Sequence, residues 1–101
     1  GNDDTILPVL SVGGIGVISV WANIQPKRVH DLVEAFEQGE MKKAQRLQLE
    51  ALPLIHALFS ETNPIPVKAA MDLMGLPAGP LRLPLVPLAD EKRAQLAQIL
   101  D

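Results

Sequence analysis

Two histidines, a lysine behind a proline turn, a serine inside an apolar run and an acidic opening are the groups of this 101-residue chain with chemistry to offer. His30 and His56 fall in different helical patterns, and neither reads as paired with a carboxylate at metal-ligand spacing. Asp31 directly follows His30 and so faces another side of a helix. Both histidines are expected as surface or partly buried residues rather than ligands or bases. Lys68 follows the turn Asn63-Pro64-Ile65-Pro66. A Schiff-base lysine needs desolvation to lower its pKa, and no pattern here builds a pocket, so Lys68 reads as exposed or salt-bridged. Lys42-Lys43 reads as solvated face. Ser19 either lines a site or, more commonly for a lone serine, bonds to nearby backbone. Asn2-Asp3-Asp4 could hold a cation, but the carboxylates suit the orphan amides of a helix's first turn better. Gly13-Gly14-Ile15-Gly16 has the composition of a phosphate-cradling loop in the reverse order. Such loops leave a strand and open a helix, whereas these glycines leave a helix and open a strand. No nucleophile–base pair, metal set or cofactor loop emerges, and no cofactor is expected.

The elements that must position these residues follow from periodicity. A helix is predicted from Asp3 or Asp4 to about Val12, distorted at Pro8 and closed by Gly13-Gly14. Gly16–Ala22 is β-branched and apolar on both faces except at Ser19, which predicts a strand buried on both sides. From Gln25 the pattern is helical, with Pro26 in the first turn, Val29, Leu32, Val33 and Phe36 in register, and Gly39 as the stop. A second helix spans roughly Glu40 to Ser60, with Met41, Ala44, Leu47, Ala51, Leu54, Ile55 and Leu58 as its stripe and Pro53 as a kink. A third covers Val67 to Met74, closed by Gly75. Leu76–Leu88 carries Pro77, Pro80, Pro84 and Pro87 and should run extended, with its leucines on the helices. Asp90 is expected to cap a last helix to about Leu100. One strand cannot satisfy its own backbone, so the pattern reads as the tail of an α/β domain followed by a helical appendage.

Composition narrows the function classes. The hydrophobic share of 48% and charged share of 21% are those of a globular chain. A net charge of −3 leaves no basic excess for phosphates, so nucleic acid is not an expected partner. Without cysteine there is no disulfide scaffold, thiolate zinc site or thiol nucleophile. Without tyrosine, and with Phe36, Phe59 and Trp21 as its only aromatics, it offers no stacking platform. The nearly uncharged stretch Thr5–Gln25 is interrupted by Pro8 and glycines and is a poor membrane span. The opening Gly1-Asn2-Asp3-Asp4 lacks a basic n-region and an initiator methionine, so the chain reads as unsecreted and as a piece of something longer.

Several segments together resemble one family. Gly1-Asn2-Asp3-Asp4, Gly13-Gly14-Ile15-Gly16-Val17-Ile18-Ser19-Val20 and Ala22-Asn23-Ile24 resemble the late barrel region of the dihydrodipicolinate synthase family. Glu61-Thr62-Asn63-Pro64-Ile65-Pro66-Val67-Lys68 and Leu81-Arg82-Leu83-Pro84-Leu85-Val86-Pro87-Leu88 resemble its C-terminal helical region. The resemblance covers essentially the whole chain. The Gly-Val-Ile-Ser-Val core occurs widely among pyruvate-dependent aldolases. The Asn-Pro-Ile-Pro-Val-Lys and Leu-Arg-Leu-Pro-Leu segments favour the synthase over its sialate-lyase relatives.

What the resemblance implies is an α/β fold. The chain would be the C-terminal fragment of a (β/α)8 TIM barrel (helix 7, strand 8, helix 8) plus a three-helix extension, mostly helical in itself. Residues 1–39 would end the barrel and residues 40–101 form the extension. The implied parent is a cytoplasmic lyase of lysine biosynthesis that condenses pyruvate with aspartate semialdehyde through a lysine Schiff base. Its Schiff-base lysine and proton-relaying tyrosine and threonine would lie before Gly1, leaving this chain inactive alone. The substrate-binding residues carried over are Ile18, whose main-chain carbonyl would face pyruvate, and Gly1 and Asn2, near the second substrate. Trp21 replaces the usual threonine or small residue at the rim, and Lys68 corresponds to a helical-region lysine rather than the Schiff-base lysine. The expected partners are the missing N-terminal part or a second copy. A related sialate or keto-sugar-acid lyase, or a non-enzymatic helical self-association module, are the alternatives.

Overall fold

The run Gly16–Ala22, expected as a strand buried on both faces, forms no strand. The computed structural model describes every residue from Gly1 to Asp101 and contains helices and turns only. Residues 14–19 take up no regular structure, and the chain then winds into a 3-10 turn at Trp21–Asn23. The physical reason is pairing. A β-branched pattern makes a segment fit for a sheet, but a strand exists only against a partner, and the chain has no second such run. Ile15 and Ile18 accordingly stand 92% and 90% exposed. The expected TIM-barrel fragment with its strand 8 is thereby corrected: the architecture is helical. Its elements are α1 (Ile6–Ser11), α2 (Pro26–Glu37), α3 (Met41–Leu58), α4 (Ile65–Leu73) and α5 (Asp90–Leu100), with a further 3-10 turn at Asp3–Thr5.

Two compact units divide the chain, Gly1–Leu52 and Pro53–Asp101. In the first, the expected opening helix is split. Asp3–Thr5 is a 3-10 turn, and α1 starts only at Ile6. Pro8 therefore lies in the first turn of α1, where a missing N–H forfeits no helical bond. Gly13, at φ +108, closes the helix, and the Gly14 N–H returns to the Val9 carbonyl at 2.9 Å. Pro26 opens α2, which turns Val29, Leu32 and Ala35 inward against α1 and the Trp21–Asn23 turn. The first part of α3 buries Ala44, Gln48 and Ala51. These positions form a helical stripe with one polar member.

In the second unit α3 continues through Pro53 and buries Leu54, Ile55 and Leu58. Helix α4 begins at Ile65, two residues before the expected start, because Pro66 fits a first turn. It packs on α5, whose Leu96 is buried. Asp90 does not cap α5 from outside. It is the helix's first residue, and with Glu91 it places negative charge on the positive end of the dipole. Glu61 reaches the same end, with Oε2 accepting from the Ala89 N–H at 3.5 Å and lying 3.5 Å from Lys92 Nζ. The leucines of 76–88 divide. Leu88 is buried, whereas Leu76 and Leu83 point outward.

Candidate functional site

The sequence-derived site residues lie on two stretches of chain joined by one carboxylate. Gly1 and Asn2 are exposed at the opening of the 3-10 turn. The Asn2 carbonyl accepts from the Thr5 N–H at 3.2 Å and the Thr5 hydroxyl at 3.1 Å. Asp3 follows immediately and is fully buried. Its Oδ2 accepts two main-chain bonds, from the Val20 N–H at 3.0 Å and the Trp21 N–H at 2.9 Å. Two main-chain N–H groups thus converge on one carboxylate oxygen and are satisfied by it. The second oxygen, Oδ1, is buried without a donor.

Gln48 holds the other side of Asp3. Its Nε2 donates to the Asp3 carbonyl at 3.0 Å, and its Oε1 accepts from the Leu7 N–H at 3.0 Å. One amide thus satisfies an acceptor and a donor of the opening turn from a buried place on α3. Beyond the carboxylate, the Ser19 hydroxyl accepts from the Ala22 N–H at 2.9 Å. This is the bond to neighbouring backbone expected of a lone serine. Trp21 is wholly buried and donates through Nε1 to Gln25 Oε1 at 2.8 Å. Its ring therefore belongs to the core of this unit and forms no rim. Ile18 lies just before these anchors, and its carbonyl accepts no hydrogen bond within the chain. The clamp thus leaves an available acceptor two residues before an anchored turn.

Sequence reasoning missed both clamp residues. The sequence pattern points Asp3 at the amides of its own helix, whereas its carboxylate serves amides 17 and 18 residues away. Gln48 carried a usable signal, since it is the polar residue in the buried row Ala44, Gln48, Ala51, Ile55.

The remaining candidates resolve as surface chemistry. His30 does have a carboxylate partner, Glu34, one turn on, with Nε2 and Oε2 3.4 Å apart. This corrects the expectation of no paired carboxylate. His30, Asp31 and Glu34 offer ligand atoms within 4.8 Å of one another. Asp31, however, is held by Lys27 Nζ at 3.0 Å, and that hydrogen bond lowers its pKa below the usual aspartate value. The group is a ladder of i,i+4 pairs on an outer face of α2. His56 is exposed. Lys68 Nζ donates to the Pro80 carbonyl at 2.9 Å. It borders two open cavities of about 380 and 540 Å³ under residues 79–88. Neither cavity is lined by Gly1, Asn2 or Ile18.

The profile of the Dihydrodipicolinate synthetase family matches residues 1–101. A 4-hydroxy-tetrahydrodipicolinate synthase from Thermoanaerobacter sp. (strain X514) is 54% identical over 100 residues, which are 99% of this chain and 34% of the relative. The synthase of Clostridium tetani is 62% identical over 85 residues, 84% of this chain and 29% of the relative. Among solved structures, a dihydrodipicolinate synthase from Thermotoga maritima superposes with a TM-score of 0.96 at 45% identity, covering 99% of this chain and 34% of that one. The chain thus spans about a third of the length of the curated relatives it matches.

Proposed function

The chain belongs to the dihydrodipicolinate synthetase family, and from that premise we propose that it is one part of a 4-hydroxy-tetrahydrodipicolinate synthase. The parent condenses pyruvate with aspartate semialdehyde through a lysine Schiff base, a step of lysine biosynthesis in the cytoplasm. The observation that carries this is the match of nearly the whole chain, at 54% identity, to about a third of a synthase. This chain is the C-terminal part of the parent. Residues 1–39 form its substrate-side portion and residues 40–101 a helical extension, a division by role at Gly39, which ends α2 at φ +77, and distinct from the two compact units, which divide after Leu52.

The nucleophilic lysine and the proton-relaying tyrosine lie elsewhere in the parent. The sequence has no tyrosine, and Lys68 is engaged with a main-chain carbonyl rather than desolvated among apolar groups. This chain's contribution is positional. The unbonded Ile18 carbonyl accepts from the pyruvate-derived moiety, and Gly1 and Asn2 border the second substrate. Alone, the chain has no nucleophile for the reaction. Its partner is the rest of the parent or, in its absence, a second copy. Borohydride trapping tests the reading. The full-length parent incubated with pyruvate should gain one reduced pyruvate adduct per chain by intact mass, while the 101-residue chain gains none. A full-length parent that traps no pyruvate refutes the assignment.

A further inference from the structure

We propose that Asp3 is a positioning residue of this synthase, whose buried carboxylate sets the direction of the Ile18 carbonyl relative to the Gly1–Asn2 turn. The inference rests on the reading that Ile18 faces the pyruvate moiety. Its support is geometric. A carbonyl's direction is fixed by the peptide plane it belongs to and by the dihedrals that follow. For Ile18 the following residues are Ser19, Val20 and Trp21. Both the Val20 and the Trp21 N–H end on one oxygen of Asp3, at 3.0 and 2.9 Å. Ser19 is tied forward to the Ala22 N–H. Segment 14–19 has no regular structure of its own; the Gly14 N–H holds its start to the Val9 carbonyl, and the Asp3 bonds hold the chain just past its end.

The anchor is itself anchored. Gln48 grips the Asp3 main-chain carbonyl and the Leu7 N–H, so the backbone from which the carboxylate projects is tied to α3. Asn2 is the residue next to Asp3. The two sequence-derived substrate positions are therefore coupled through one fully buried side chain. A helix cap would stabilise its own turn; this carboxylate spans to another segment and fixes a main-chain acceptor there. An acceptor held in place before substrate arrives needs no reorganisation when charge develops nearby.

The test uses the full-length parent and four proteins: wild type, Asp3→Asn, Asp3→Ala and the stability control Leu96→Ala. Leu96 is buried on α5, in the unit that holds neither Asp3 nor Ile18. Each is assayed below its own melting temperature for pyruvate KM, kcat and borohydride trapping. Asp3→Ala should raise the pyruvate KM about tenfold, the loss of one charge-assisted hydrogen-bond set. Asp3→Asn retains an acceptor oxygen without the charge and should fall between it and wild type. Leu96→Ala should lower the melting temperature and leave the pyruvate KM unchanged. If the alanine variant does not fold, the asparagine variant alone decides. A pyruvate KM within twofold of wild type in the folded Asp3 variants overturns the positioning role while trapping by wild type leaves the synthase assignment standing. An equal KM rise in Leu96→Ala also overturns it. Absence of trapping in wild type removes the assignment and the inference together.

Discussion

Gln48 occupies a place that the apolar stripe of α3 would give to an aliphatic residue, and its burial is justified only by the two bonds it makes. Gln48→Leu would keep the volume and leave the Asp3 carbonyl and the Leu7 N–H unpaired in the interior. Each stranded group costs about 1–3 kcal/mol, so the variant should lose about 2–4 kcal/mol of unfolding free energy by urea denaturation. A loss below about 0.5 kcal/mol, the range of an ordinary surface change, would show that the amide holds nothing in place. Asp31 supplies a pH-dependent expectation. Its folded pKa is lowered by the hydrogen bond from Lys27. The stability it contributes is therefore present above the unfolded aspartate value and fades as the pH falls through the lower folded one, below about 4. Its carboxyl carbon should titrate by NMR below the usual aspartate midpoint, and Lys27→Ala should move that midpoint up. An unmoved midpoint would rule out the pair as the cause. At this scale the sequence disclosed residue types but not destinations. Nothing local in Asn2-Asp3-Asp4 says that one carboxylate will serve amides at Val20 and Trp21.

Helices were legible where their start and stop are chemical events. Pro26 and Gly39 bracket α2, and Gly75 closes α4, because proline's missing N–H and glycine's positive φ act within one turn. The strand was misread because pairing is not local. Gly14 tests the turn that leads into that segment. A Cβ there would lie 2.8 Å from both Val9 Cγ1 and the Val9 carbonyl oxygen, and that oxygen is held by the Gly14 N–H itself. Gly14→Ala should therefore cost about 1–3 kcal/mol. Gly16→Ala meets nothing within 4 Å and should stay within about 0.5 kcal/mol of wild type. Melting temperatures of the two variants, measured side by side, check the contrast. Equal shifts would mean that the turn yields.

For the whole molecule, family membership was readable from segments distributed along its full length, while the architecture inferred with it was not. The chain by itself leaves Val12, Ile15 and Ile18 at 85%, 92% and 90% exposure. Such surface, next to backbone without partners, favours association. The 101-residue chain should sediment as dimers or larger species at micromolar concentration, and the double substitution Ile15→Lys with Ile18→Lys should return it to monomer. A monomeric wild-type chain would contradict this. The burial of Trp21 has a separate practical consequence. It is the chain's single tryptophan, and there is no tyrosine beside it, so near-ultraviolet emission reports on Gly1–Leu52 alone. Helical circular dichroism draws on all five helices in both units. Following the two signals through one denaturant titration makes the chain its own two-channel thermometer. Coincident curves mean that the units melt as one, and a red shift that precedes the loss of ellipticity means that the clamp around Asp3 opens first.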